Sequence, residues 1–297
     1  MRTGTATMDT GFGLVVLGGL GFGLSPLFAK MAYADGLGPA AALLYRFLGV
    51  VLVTLPAVPG MWRQPRFMGR GLCLGALMAL GSLMYFRALA VLPVAPAATI
   101  YYTYPLFTVL IGWIAWRRRP HPRAFALAGL VLAAVALVVM PGARGAAGFG
   151  PAQVAALLAC FVAPVAFALL IHGYAAWLGN GSVWGRMAPL AWGHMLVLVP
   201  AVAMASDNAV LPVTPGGWQA VLGLATLASL LPQICFAYGA SRTGTERTAI
   251  GGSTELMMSV AVGWAIYGEA MHPSAVAGVA LLLAALMLAR RSLPGGP

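Results

Sequence analysis

One carboxylate, Glu255, lies about eight residues into a long apolar run of the chain. An ionisable group at membrane depth is costly, so it is typical of a functional role such as a proton relay or a partner for a solute amine. A structural role is the alternative. Gly251 and Gly252 precede the acid and predict a loosened helix, whose backbone groups or a buried arginine would need its oxygens. The sequence leaves both roles open.

A second chemical group is the cluster of tyrosines that begins the apolar stretch 99–116, read as TIYYTYPLFTVLIGWIAW. A tyrosine offers a flat apolar face and a hydroxyl, which suit a small amphipathic or aromatic solute. The alternative is an aromatic belt at the membrane interface. The predicted substrate-binding residues are Ser82, Tyr85, Tyr101, Tyr102, Tyr104 and Met258.

Two basic residues in the apolar runs, Arg46 and Lys30, join Glu255 as candidates for a polar cavity. Arg46 lies deep in its run and is predicted to act in packing or gating, whereas Lys30 lies near the end of its run and can snorkel to the interface. Proline removes a backbone donor and bends a helix. The predicted helix bends are at Pro26, Pro105 and Pro164.

Composition limits the class of protein to which these groups belong. The chain of 297 residues is 61% hydrophobic and 8% charged, whereas soluble domains carry about 25% charged residues. The net charge of +11 comes from short loops between apolar runs, so it does not indicate a nucleic-acid partner. The three cysteines show no metal-ligand spacing, and no catalytic or metal site, cofactor or enzyme activity is expected.

Hydropathy predicts ten transmembrane helices joined by short connections, because a chain in lipid must satisfy its own backbone groups. The predicted spans are 10–31, 39–58, 70–91, 95–116, 123–141, 152–173, 187–205, 217–240, 247–267 and 273–290.

The basic residues predict the orientation of these spans. If the N-terminus is cytoplasmic, the cytoplasmic segments hold 13 of the 17 Lys and Arg residues, whereas the outer loops hold only Arg144. Positive charge favours the cytoplasmic side. We therefore expect both termini in the cytoplasm.

An internal repeat becomes visible when the sequence is aligned with itself at an offset of 151 residues. Gly112-Trp113 then falls on Gly263-Trp264, and Pro122 falls on Pro273. The shift places the fourth and fifth spans on the ninth and tenth, which predicts two five-helix repeats, residues 1–147 and 148–297. Because five is odd, the second repeat must be inverted, and inverted repeats place a binding site near the membrane midplane.

Several of these residues resemble the drug/metabolite transporter superfamily, EamA type. The similarity covers nearly the whole chain. It is carried by the opening 21–56, with Ser25, Lys30 and Arg46, and by the ninth span, where Glu255 opens and Gly268-Glu269 closes the apolar run. The chain departs from the family pattern at Phe22 and Leu256. The resemblance implies ten helices around a central cavity, and bacterial aromatic amino-acid and metabolite exporters are the most similar group.

The expected function is a secondary-active or facilitative exporter of small metabolites, most of all amino acids, in the bacterial cytoplasmic (inner) membrane. No G-x-x-x-x-G-K-[ST] motif occurs, so gradients must supply any energy. The expected partners are a small solute, membrane lipid and, as an option, a proton; a monomer would suffice. A multidrug or organic-cation efflux carrier is the first alternative, and an integral membrane enzyme is the second.

Overall fold

The computed structural model describes residues 2–91, 100–115, 117, 121–139, 150–178, 182–205, 210–268 and 272–292. Its longer helices, numbered in chain order, are α1 (Arg2–Phe22), α2 (Ser25–Ala34), α3 (Pro39–Thr54), α4 (Val58–Met61), α5 (Pro65–Val91), α6 (Tyr104–Ile114), α7 (Pro122–Val139), α8 (Pro151–Cys160), α9 (Val162–Ala176), α10 (Val183–Ala203), α11 (Pro215–Ala225), α12 (Leu231–Thr243), α13 (Thr245–Gly252), α14 (Thr254–Tyr267) and α15 (Pro273–Ser292).

The predicted all-helical membrane architecture is confirmed. Within the described ranges, seven helical segments are long and apolar enough to cross a membrane, and shorter apolar helices lie at Tyr104–Ile114, Pro122–Leu137 and Pro273–Ala289. Several spans consist of two helices in series, such as α1 with α2 and α8 with α9. Together these segments account for the ten predicted spans as two five-helix repeats.

Helix interruptions lie close to the three predicted proline bends. The helix breaks at Gly23–Leu24 before Pro26 and at Phe161 before Pro164. Because Pro26 has no N–H, the carbonyl of Phe22 four residues earlier loses its helical partner. The Ser25 hydroxyl donates to that carbonyl instead, which keeps the backbone hydrogen-bonded inside the membrane.

The third break precedes Pro105 and has a counterpart in the second half of the chain. Residues 102–103 form a turn before α6, and a turn at Ser253 separates α13 from α14. The shift of 151 residues that aligns the two repeats places Tyr102 on Ser253. The repeat is therefore visible in the position of a backbone irregularity as well as in residue types.

Helix packing also follows the two-repeat arrangement. The first span packs against the eighth through α1 and α12, and the third packs against the sixth through α5 and α9. Exchanging the two halves converts one pair into the other. The second span packs against the seventh, the fourth against the ninth and the fifth against the tenth, so each of these pairs joins two equivalent helices. The predicted repeat boundary at residues 147–148 lies outside the described residues.

The third and seventh spans approach each other so closely that both use glycine at the crossing. A Cβ added at Gly75 of α5 would overlap the carbonyl oxygen of Leu190, and a Cβ at Gly193 of α10 would overlap the carbonyl oxygen of Leu72. A side chain at either position would have to push the two helices apart.

We expect Gly75→Ala to lower the melting temperature of the purified protein, because overpacking of a tight contact costs about 1–3 kcal/mol. Gly69→Ala is the matched control in the same helix, since no atom lies within 4 Å of the added Cβ. Melting followed by size-exclusion chromatography in detergent measures both variants. An equal melting temperature for Gly75→Ala and the wild type would contradict the packing described here.

Candidate functional site

A cavity of about 70 Å³ lies between the two halves of the chain. The first four spans of each repeat supply its walls, and among the described residues none from the fifth or tenth span lines it. It is lined by Phe22, Arg46, Phe47, Met78, Ser82, Tyr101, Phe167, Leu170, Leu190, His194, Gln233, Phe236 and Glu255. Its surface is therefore aromatic and aliphatic with a small number of polar groups, which is the usual composition of a small-molecule site.

Arg46 is the basic group of this cavity. Its guanidinium carbon lies 5.7 Å from the ring centroids of both Phe22 and Phe47, where cation–π attraction stabilises a charge in an apolar wall. The Nε atom is inaccessible to solvent and has no hydrogen-bond partner. Two aromatic rings thus flank this charge, and its Nε–H donor is unused within the described residues.

Glu255 is the acidic group of the cavity and is half-buried. It is the second residue of α14, directly after the turn at Ser253, where a helix N-terminus favours negative charge. The turn is held by Thr254, whose Oγ1 donates to the carbonyls of Val16 and Gly251 at 2.9 Å each. Gly23 lies against the backbone oxygen of Glu255, so the breaks of the first and ninth spans meet beside the acid.

Arg46 and Glu255 face the same cavity but do not form an ion pair with each other or with another described residue. They come from opposite halves of the chain, on the second and ninth spans. A small cavity therefore holds a guanidinium group and a carboxyl group, and each of them can bind a solute group of opposite charge.

Of the four predicted tyrosines, Tyr101 lines the cavity. Tyr102 and Tyr104 are 7% and 0% exposed, so they lie inside the protein rather than in an interfacial belt. The Tyr104 hydroxyl is hydrogen-bonded to Ser253 Oγ at 3.1 Å, which joins the fourth span to the turn of the ninth. Tyr85 packs on Tyr101, with ring centroids 5.5 Å apart. These three tyrosines support the wall from behind and do not form it.

Of the other predicted site residues, some line the cavity and others lie away from it. Ser82 lines the cavity, whereas Met258 packs beside Gly23 and is not part of the lining. Lys30 is exposed, and its Nζ lies 4.1 Å from the ring centroid of Tyr267, away from the cavity. Tyr267 also donates its hydroxyl to the carbonyl of Leu27. Lys30 therefore belongs to a contact between the two halves at the protein surface.

Two polar residues of the cavity wall, His194 and Gln233, are not among the predicted site residues. His194 is 4% exposed, stacks on Phe47 with centroids 3.8 Å apart, and donates through Nδ1 to the carbonyl of Leu190 at 2.7 Å. In the neutral ring this bond makes Nε2 the acceptor. A lone polar residue in an apolar span was the available signal, and intramembrane polar residues generally face the protein interior. Within the described ranges, no His, Cys, Asp or Glu cluster has the size of a metal site.

A further contact between the two repeats lies outside the cavity lining and involves Asp35. Its carboxylate follows α2 and accepts hydrogen bonds from Val213 N at 2.8 Å, Thr214 N at 3.1 Å and the Thr214 hydroxyl. Thr214 in turn caps α11, because its Oγ1 accepts from Gly217 N at 3.1 Å. These hydrogen bonds hold the pKa of Asp35 below its usual value, the Thr214 hydroxyl first among them.

Two comparisons with known proteins agree with this architecture. Residues 9–140 and 150–291 each match the EamA-like transporter family. A solved structure titled "Crystal structure of protein" superposes with a TM-score of 0.75 over 96% of this chain and 98% of its own, at 20% identity. At that identity the likeness shows the fold alone. None of the curated proteins matches the chain.

We expect Asp35→Ala to speed hydrogen exchange at the amides of Val213 and Thr214, because both lose their acceptor. The pKa is lowered in the folded protein, so the stabilisation is present at neutral pH and is lost as the pH falls through the lowered value. The wild type should therefore approach the variant in acid. Exchange measured by mass spectrometry at matched pH tests this.

The control for Asp35→Ala is Thr226→Val, which removes an exposed hydroxyl that bonds to Leu222 within its own helix. It should leave residues 213–214 unchanged. Equal exchange rates at these amides in Asp35→Ala and the wild type at neutral pH would exclude the Asp35 contact.

Proposed function

Because the chain belongs to the EamA-like transporter family, we propose that it exports small zwitterionic metabolites, most of all amino acids with neutral or aromatic side chains. The family assignment gives transport of a small solute across a membrane. The proposal adds the chemical class of the solute and the direction of transport.

The observation that carries this proposal is the presence of Arg46 and Glu255 in one cavity without an ion pair between them. An amino acid bears one carboxylate and one ammonium. Arginine suits a carboxylate because its planar fork can donate two parallel hydrogen bonds. Glu255 would receive the ammonium. Each buried charge costs free energy while it has no partner, and a bound zwitterion would offset both costs at the same time.

The walls and size of the cavity support a small solute with an apolar side chain. Tyr101, Phe167 and Phe236 present rings to the cavity, and their apolar faces suit an aliphatic or aromatic side chain. The volume of about 70 Å³ is well below the roughly 300–1,000 Å³ of pockets for drug-sized ligands. It therefore favours a metabolite over the multidrug alternative, and Arg46 disfavours a solute that carries only positive charge.

Transport by alternating access follows from the position of the cavity between inverted repeats. Release of the contacts of α2 with the second repeat, among them the Asp35 and Lys30 contacts, would open one side. The breaks at Gly23–Leu24 and Ser253 lie beside Glu255 and would allow the adjoining half-helices to move. We propose that the protein lies in a bacterial cytoplasmic membrane with both termini inside and that Glu255 exchanges either a solute amine or a proton.

The two charges predict opposite changes in solute preference. We expect Arg46→Gln to weaken transport of L-phenylalanine about tenfold or more while sparing phenethylamine, which has no carboxylate; a hydrogen bond to a charged group contributes about 1.5–3 kcal/mol. Glu255→Gln should likewise weaken the transport of L-phenylalanine, but it should spare the transport of 3-phenylpropionate, which has no amine. Counterflow into proteoliposomes measures all three solutes.

Lys30→Gln is the control, since Lys30 is exposed and contacts Tyr267 outside the cavity; its solute preference should match the wild type. Strong transport of phenethylamine with none of any amino acid would replace the proposal by organic-cation efflux. A pH gradient applied in the same vesicles distinguishes proton coupling from facilitated transport.

A further inference from the structure

Gln233 is a polar side chain of the cavity wall whose amide is held in one orientation. It is 8% exposed, and its Nε2 donates to Ser229 Oγ at 2.7 Å. Ser229 is 0% exposed, so this hydrogen bond lies in the protein interior. It occupies the Nε2 atom of the amide and not the Oε1 atom. Within the described part of the chain, no residue donates a hydrogen bond to Oε1.

The backbone around Ser229 explains how the two side chains meet. Thr226–Leu230 forms a π-helical turn between α11 and α12, and Pro232 follows at the second position of α12. Such turns insert an extra residue into a helix and occur frequently at functional sites. Ser229 stands at the end of this turn, four residues before Gln233, a spacing that places two side chains side by side on a helix. The cavity residue Phe236 lies on the same face of α12 as Gln233.

The chemistry of the Gln233 Oε1 atom limits what it can bind. An amide carbonyl oxygen only accepts hydrogen bonds, so a solute must present an N–H or O–H donor to it. In a cavity of about 70 Å³ the same small solute can contact Gln233 and Glu255. A primary ammonium has three N–H donors, and the single carboxylate of Glu255 leaves at least one of them for another acceptor.

We propose that Gln233 is a specificity-determining residue that accepts an N–H of the solute ammonium, and that Ser229 is its positioning residue. The inference rests on the proposed function, since it names a further contact in the same site. It separates two properties of the solute: Glu255 responds to the positive charge, whereas Gln233 responds to the N–H donors. A site with a buried acceptor rejects an analogue that cannot donate to it.

The test compares L-phenylalanine with its N,N,N-trimethyl derivative, which keeps the positive charge but has no N–H. Proteoliposome counterflow gives the ratio of kcat/KM for the two solutes. Gln233→Leu, a replacement of similar size, should reduce the preference of the wild type for L-phenylalanine about tenfold. Ser229→Ala should reduce it by a smaller factor, because Gln233 keeps its oxygen but loses its fixed orientation.

The controls separate this role from stability and from charge. Ser241→Ala lies on the same helix and removes a hydroxyl that donates to the Tyr238 carbonyl at 3.2 Å; it should leave the ratio unchanged. Glu255→Gln should weaken the transport of both solutes, and it should change the ratio of their kcat/KM values less than Gln233→Leu does. Because the ratio is taken within one variant, a loss of folded protein lowers both rates equally.

The outcomes distinguish the two proposals. If the wild type transports neither amino acids nor the trimethyl derivative, the amino-acid function fails and the role of Gln233 fails with it. If the wild type prefers L-phenylalanine and Gln233→Leu keeps the full preference, only the role of Gln233 is overturned. A reduced ratio in Gln233→Leu and Ser229→Ala, with Ser241→Ala unchanged, establishes it.

Discussion

The structure depends on one constraint: inside a membrane, every backbone N–H and C=O that leaves a helix must find another partner. The chain leaves regular helix at several points within its spans, and side-chain hydroxyls take over the freed groups. Ser25 serves the break near Gly23, and Thr254 serves the turn at Ser253. Tyr104 adds a hydrogen bond to Ser253 from the other half of the chain. Two of the breaks meet beside Glu255, so the irregular backbone is concentrated where the cavity lies.

The two-repeat arrangement explains why the two charged residues of this cavity come from different halves of the chain. Arg46 belongs to the first repeat and is held between two phenylalanine rings, whereas Glu255 belongs to the second and begins α14. Neither repeat alone contains the site. A motion of one half relative to the other would therefore alter the contacts of both charges with a solute, which is the physical basis of the proposed alternating access.

Much of this arrangement could be predicted from the sequence because it depends on composition and periodicity. The ten spans, the two repeats and the deep positions of Arg46 and Glu255 follow from apolar run lengths and the shift of 151 residues. The tyrosines show where such prediction ends. A turn at 102–103 interrupts the regular helix on which that prediction was based, and Tyr101 lines the cavity while Tyr104 is fully buried.

The residues that the sequence did not indicate depend on contacts between distant segments. Ser229 and Gln233 are four residues apart and bond to each other, but their spacing does not show that this face of the eighth span meets residues of the other repeat at the cavity. Asp35 lies in a short loop after α2, where nothing in the sequence indicates a partner, yet it accepts hydrogen bonds from residues almost 180 positions later. Lys30 was expected near the polar cavity, but a cation–π contact with Tyr267 holds it at the surface.

The central claim is that the cavity between the repeats holds the solute and opens to each side of the membrane in turn. The most direct measurement places a cysteine at Ser82 after replacement of Cys73, Cys160 and Cys235, and treats oriented vesicles with a membrane-impermeant thiol reagent. The account predicts labelling from either side and protection by L-phenylalanine. Labelling from one side alone, at a rate that the amino acid does not change, would contradict it.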